Sequence, residues 1–344
     1  MASVSVVIPT YNRARWLPET VASVLGQSAP PLEVLIVDDG STDDTATVCA
    51  GMPPPVRYLR QENAGVGAAR NRGIREARGD FVALVDSDDV WEPAKLEAQL
   101  ELHRCFPDTG WSVTNHVTIG LDGQALPGRQ GFVRGFGVFD AVGMPPESFF
   151  GRWFRRGEIT AAGARHTVFV GDAYTPLFYG NFASPTCVMI RRSLLEQVGG
   201  FDESLRLAEE TEFFHRLSGS AALGIIMTPL FRWRVGQAVS LVSAGNVAPL
   251  IENALMSLDR AAALRSPLPP EARAAWAAGR QRLLLDLAYT ELSGLRGREA
   301  RAALRRARAA GARTTMRSTG ILAASYVPPA VLRMLHGLKR RLRR

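Results

Sequence analysis

Residues 79–100 read GDFVALVDSDDVWEPAKLEAQL, and the fold turns on this stretch. Phe81 to Val85 is a continuous apolar run of strand length, as expected where a parallel sheet is covered on both faces. Three acids then fall within four residues, Asp86, Asp88 and Asp89. Pro93 opens a helix in which Leu96, Leu100 and His103 recur on one face. Strand, acidic tip, helix: this is one βα unit.

The same unit recurs upstream. Val4 to Ile8, Leu32 to Val37 and Val56 to Leu59 are short β-branched or apolar runs, and Leu17, Val21, Val24 and Leu25 mark an amphipathic helix between the first two. Alternation of this kind predicts right-handed crossovers and a doubly wound, mostly parallel α/β sheet. Ligands of such sheets sit beyond the carboxyl ends of the strands. That rule places Asp38–Asp39 and Asp86–Asp89 on one rim.

Downstream, residues 120–182 are rich in Gly, Arg and Phe and lose regular period. They are expected to form an irregular insertion on the acceptor side of the site. Thr186 to Ile190 reads as a strand, Leu194 to Val198 and Glu209 to Leu217 as helices, and Leu223 to Val235 as extended. The expected division is an α/β domain over 1–240 and a helical, basic region over 241–344, with a last helix carrying Val331, Leu335, Leu338 and Leu342.

Net charge is +8, but residues 296–344 hold 14 Lys or Arg against the single acid Glu299, so the remainder is acidic. The basicity is a property of the tail, and nucleic acid is not expected as a partner. The N-terminus lacks the basic and apolar regions of a signal peptide, and no window reaches the roughly 18 apolar residues of a spanning helix. A cytoplasmic protein is expected, with Cys49, Cys105 and Cys187 as buried thiols.

Two acidic groups carry the chemistry. In Asp38-Asp39-Gly40-Ser41-Thr42, two carboxylates stand at a strand tip before a tight turn, suited to a capped turn or to a nucleobase or ribose contact. In Asp86-Ser87-Asp88-Asp89, closely spaced acids need a compensating cation, and oxygen ligands suit Mg²⁺ or Mn²⁺ bridging a diphosphate. An EF-hand loop is excluded by Val90 and Trp91. Gly65-Val66-Gly67 lacks the third glycine of a dinucleotide fingerprint, and there is no Walker lysine.

VSVVIPTYNR, VLIVDDGSTDDT, QENAGVGAARNRGI and GDFVALVDSDDVWEPAKLEAQL follow one another in the order and spacing of the family 2 glycosyltransferases, which have the GT-A fold. The resemblance is strong over residues 3–110 and weaker through Leu217. It implies an inverting, metal-dependent transfer from a nucleotide-sugar, most often a UDP-sugar, to a glycan or lipid-linked acceptor. It implies donor contacts at Thr10, Tyr11, Asp39, Arg70, Asn71 and Asp88, and a Mn²⁺ or Mg²⁺ site among Asp86, Asp88 and Asp89. The general base falls at Glu210, where the family usually has Asp. Trp111, Trp153 and Phe154 are candidates to stack on a sugar, although core packing is the commoner fate of such residues. Relatives that work on lipid carriers suggest that the basic tail rests on an anionic membrane surface. The rival readings are a sugar-1-phosphate nucleotidylyltransferase, whose Gly-rich loop Pro9 to Arg13 does not supply, and a non-catalytic scaffold of the same fold.

Overall fold

The computed structural model describes residues 2–132, 138–205, 207–236 and 247–328. It divides into two compact units, Met1–Ala238 and Val239–Arg344. The expected helix through Val331 and Leu342 lies outside the described residues.

The first unit is built on one sheet. Its first strands are β1 (Val4–Thr10), β2 (Glu33–Asp38), β3 (Val56–Arg60) and β4 (Phe81–Leu84), crossed over by helices α1 (Leu17–Leu25), α2 (Thr45–Ala50) and α3 (Val66–Glu76). They lie side by side in the order β3-β2-β1-β4, all parallel. Every residue of β1, β2 and β4 is buried, the physical reason for their mostly apolar runs, and the buried Ser5 of β1 donates to Glu33 of β2. Helix α3 lies so close to β1 that a Cβ on Gly73 would stand 2.2 Å from Val7 Cγ1. Only glycine fits there.

The chain continues through β5 (Val90–Trp91), α4 (Lys95–Cys105), β6 (Thr109–Ile119), β7 (Ala125–Gln130), β8 (Arg155–Ala161), β9 (Ala164–Gly171), β10 (Met189–Arg191) and β11 (Ala222–Arg234). The sheet extends as β4-β10-β6-β11-β9-β8. On this path only β10 and β9 run against the others. This is a mixed α/β sheet, mostly parallel, as the sequence predicts.

One expectation fails. Residues 120–182 are not an irregular insertion. They hold β7, the hairpin β8–β9, and short helices at Val138–Val142, Pro146–Trp153 and Tyr174–Phe178. The hairpin joins Ala161 to Ala164 through Ala162 (φ 47°) and Gly163 (φ 74°), the two positive φ values a tight primed turn needs. An Ala-Gly turn lacks the Asn-Gly or Asp-Gly signature, so the hairpin left little trace in the sequence. The phenylalanines form a core cluster in which Phe150 contacts Phe132, Phe139, Phe149 and Phe182 edge-on. Likewise Thr186 to Ile190 is not one strand: a 3₁₀ turn at Pro185–Cys187 precedes the short β10.

The second unit comprises the helices Val247–Leu264, Pro270–Ser293, Gly297–Ala309 and Met316–Ala324. They bury Ile251, Leu255, Leu284, Leu287, Leu304 and Ile321 against one another. Thr315 and Ser318 form a reciprocal cap at the start of the last helix, each side chain accepting from the other's backbone N–H. No helix among the described residues is long and apolar enough to cross a membrane.

Candidate active site

The rim at the carboxyl ends of β1, β2 and β4 gathers the expected residues of the first unit. At the tip of β1, Thr10 is buried with no hydrogen-bond partner for its Oγ1, while Tyr11 is exposed. Asn12 takes φ 53° and staples this loop to the next. Its N–H donates to Ser41 Oγ at 2.9 Å, and its Oδ1 accepts from Thr42 N at 2.8 Å. No local pattern marks Asn12 for this role.

The acid pair after β2 has divided duties. Asp38 is fully buried and accepts from Ser41 N and Tyr58 Oη. Asp39 is also buried. Its Oδ1 accepts from Gln61 Nε2 and Ala64 N, each at 2.9 Å, and its Oδ2 from Gly65 N at 2.8 Å. It therefore fixes the loop that leads into α3.

On α3, Arg70 and Asn71 are both buried. Arg70 Nη2 donates to Asp86 Oδ1 at 2.8 Å and Nη1 to Glu209 Oε1 at 2.6 Å. Asn71 accepts from Phe201 N at 2.7 Å and donates to Phe201 O at 2.9 Å and Glu203 Oε1 at 2.8 Å. Gly200 makes room for it, since a Cβ there would fall 2.1 Å from Asn71 Oδ1.

The three aspartates after β4 do not converge, and no group of three or more His, Cys, Asp or Glu able to hold a metal ion occurs among the described residues. Asp86 is 34% exposed, its Oδ1 on Arg70. Asp88 is 18% exposed and pairs with Arg13 Nε at 3.1 Å. Burial and the Asp86 charge raise its carboxyl above the usual range. Asp89 points inward: its Oδ2 accepts from Thr186 Oγ1 at 2.7 Å and its Oδ1 from Arg234 N at 2.8 Å. Burial, with the charges of Asp88 and Asp86, pushes Asp89 well up. It is 2% exposed and both of its oxygens accept from the protein, so it is not open to a ligand as Asp86 and Asp88 are, and the ligand role expected for it does not suit its burial.

The residues that support this loop come from distant parts of the chain. Thr186 Oγ1 also accepts from Asp86 N at 3.0 Å, and Trp91 Nε1 donates to Thr186 O at 3.0 Å. Arg234, on β11, donates to Asp88 O and to Glu19. Lys95, fully buried, lays its Nζ 4.0 Å above the Trp91 ring and donates to Gln99 Oε1 at 2.7 Å. Burial pushes it down to about 7.

The helix Glu209–Ser220 starts beside Arg70. Ala208, in the left-handed region at φ 57°, turns the chain into it. Glu209 is buried on Arg70. Glu210 is half-buried, and burial together with the Glu209 charge pushes it up to about 7. Glu212 is taken by Arg216 at 2.6 Å. Of three acids in the first turn, Glu210 alone forms no ion pair among the described residues.

Trp111 is fully buried and stacks on Phe214 at 5.5 Å, and Phe154 is also core, so neither faces a sugar. Trp153 is half-buried beside Tyr179. The histidines His103, His116 and His215 are buried, and burial holds all three well below their ordinary range. Cys49 and Cys187 are buried thiols as expected, but Cys105 is exposed at the end of α4.

A sheet ordered β3-β2-β1-β4, an acidic loop after β4 and C-terminal helices define a GT-A-type α/β protein. Residues 5–119 match the model of "Glycosyl transferase family 2". An uncharacterized glycosyltransferase of Rickettsia felis is 46% identical over 100 residues, 28% of this chain and 17% of that protein. The chondroitin synthase of Escherichia coli is 41% identical over 126 residues, 36% of this chain and 18% of that protein. In both cases the match spans less than a fifth of the relative. Two solved structures share the fold. The mannosyltransferase PcManGT of Pyrobaculum calidifontis, in complex with GDP-Man and Mn²⁺, aligns at TM-score 0.57 and 20% identity over 96% of this chain and 83% of that one. S. aureus TarS 1-349, in complex with UDP-GlcNAc, aligns at 0.53 and 19% over 88% of each.

Proposed function

We propose that this chain transfers a sugar from a nucleoside-diphosphate sugar, a UDP-sugar first among candidates, to a hydroxyl of a glycan or lipid-linked acceptor, with inversion at the anomeric carbon. The observation that carries the reading is the join at Arg70. One buried guanidinium ties the acidic loop, through Asp86, to the first turn of the helix that presents Glu210. A donor held at the loop would then lie beside a carboxyl whose range, raised to about 7, suits a general base. The UDP-GlcNAc and GDP-Man bound in the two structural neighbours support a nucleotide-sugar donor.

In this reading Thr10, Tyr11 and Asp39 frame the nucleotide, and Asp88 with Asp86 faces the diphosphate. The partly exposed Asp86 and Asp88 fit a divalent ion, since Mg²⁺ or Mn²⁺ sites of this class use one or two carboxylates and complete their shell with phosphate oxygens. When bound, the ion would supply charge neutralisation for the departing diphosphate. Glu210 takes the proton of the acceptor hydroxyl as its oxygen bonds to the anomeric carbon. The bond from that carbon to the diphosphate oxygen breaks on the opposite side, and the nucleoside diphosphate leaves. Asp89 serves the same site from below by fixing the loop.

The test is Glu210→Gln. Transfer from a panel of nucleotide-sugars should fall by about 10²- to 10⁴-fold, the usual worth of a general base. Binding of UDP with Mn²⁺ should persist. Unchanged transfer would remove Glu210 from the mechanism.

The basic tail supports a cytoplasmic enzyme lying on the inner face of a membrane. Each Lys or Arg near an anionic surface contributes about 1 kcal/mol. Full-length chain should co-sediment with vesicles containing phosphatidylglycerol at low salt and be released at high salt; indifference to lipid would end that part of the proposal.

A further inference from the structure

We infer that Arg70 and Glu209 are positioning residues, a buried clamp that sets Glu210 against the acidic loop, and that Arg70 does not serve as a donor contact. The inference rests on the glycosyltransferase reading above and deepens it.

The Arg70 side chain is 5% exposed and that of Glu209 4%. An arginine this deep stays charged only with compensating partners, and it has two, Glu209 at 2.6 Å and Asp86 at 2.8 Å. The planar guanidinium fork reaches both carboxylates at once, which a lysine ammonium on a flexible stem cannot do from one place. Beneath it lies the Phe201 ring, 5.3 Å from Cζ. The next residue, Asn71, grips both the N–H and the carbonyl of Phe201. Phe201 in turn stacks at 4.1 Å on Phe213, in the helix that begins with Glu209.

Two consecutive residues of α3 therefore hold that helix by two routes. Asn71 sets its body through Phe201, and Arg70 sets its first turn through Glu209. Glu209 and Glu210 share that turn, so the ion pair fixes the backbone from which Glu210 projects. Both terminal nitrogens of Arg70 are engaged by the protein, and its Nε, which has no partner, is buried out of reach of solvent.

The experiment uses the full chain with Mn²⁺, reading UDP affinity by calorimetry and transfer by steady-state kinetics, for wild type, Glu209→Gln, Arg70→Lys and the double variant. Each single change should leave the Kd for UDP within about threefold and lower kcat at least tenfold. The double variant should be no worse than about twofold below the poorer single, because coupled residues are not additive. Arg70→Lys weakening UDP tenfold or more while Glu209→Gln keeps wild-type kcat would overturn the inference and make Arg70 a donor contact. Should Arg70→Lys fail to fold, Glu209→Gln decides alone: reduced kcat with unchanged Kd supports the clamp, and wild-type kcat overturns it. A wild type that transfers from no donor sinks the parent reading and the clamp with it, whereas an active wild type with indifferent variants sinks only the clamp.

Discussion

Thr186 donates its hydroxyl to Asp89 across 97 residues of sequence, at 2.7 Å and fully buried. The same oxygen accepts from Asp86 N, so one threonine holds both ends of the acidic loop. Asp89 is therefore a structural acid of this loop. Asp89→Ala strands Thr186 and the Arg234 N–H, and should cost on the order of 3 kcal/mol in stability. Thermal melts without ligand should show the midpoint lowered by roughly 6–12 °C. A melt indistinguishable from wild type would return Asp89 to the candidate metal ligands.

Asp86 and Asp88 should behave the other way. Asp88→Asn removes a charge that is partly exposed and pairs with a partly exposed Arg13, so stability should change by under about 1 kcal/mol. Mn²⁺-dependent binding of UDP should weaken at least tenfold in both Asp86→Asn and Asp88→Asn. Calorimetry with and without the metal checks this. Equal affinity with and without Mn²⁺ in the wild type would argue against metal use.

The pH dependence follows from Glu210. Its carboxyl is raised from 4.5 to about 7 by burial and by Glu209. A base must be ionised, so kcat should rise through pH 7 with unit slope and level off above pH 8. Folding runs in the opposite direction. A carboxyl with a raised folded-state range is stable protonated, and that stability is lost as pH rises from about 4.5 through 7. Glu210→Gln should therefore raise the melting point at pH 8 and leave it unchanged at pH 4. A variant less stable than wild type at pH 8 contradicts the assignment.

Only one thiol should react in the native protein. Cys105 is exposed beside Glu101, whereas Cys49 and Cys187 are buried, and burial with the Asp38 charge pushes Cys49 up to about 12. Alkylation under native conditions should modify Cys105 alone, slowly, because partial burial and the Glu101 carboxylate raise its thiol too. Mass spectrometry of the peptides decides; label on Cys187 without unfolding would contradict the packing described.

By itself the sequence determined the parallel half of the sheet, the C-terminal helices and the rim on which Asp39, Asp86 and Asp88 stand. Strands buried on both faces are mostly apolar, and polar tips at their ends are then conspicuous. Tertiary structure alone decided how those acids are used. Asp86, Asp88 and Asp89 fall within four residues and look alike in sequence, yet one meets Arg70, one Arg13 and one Thr186, partners brought from elsewhere in the chain. The hairpin β8–β9 was equally hidden, since its turn is Ala-Gly, and the phenylalanines on either side of it look like any aromatic-rich loop until they pack. Local pattern records burial and turn preference along the chain. The charge environment of Glu210 depends on Arg70, 140 positions away, and only folding brings the two together.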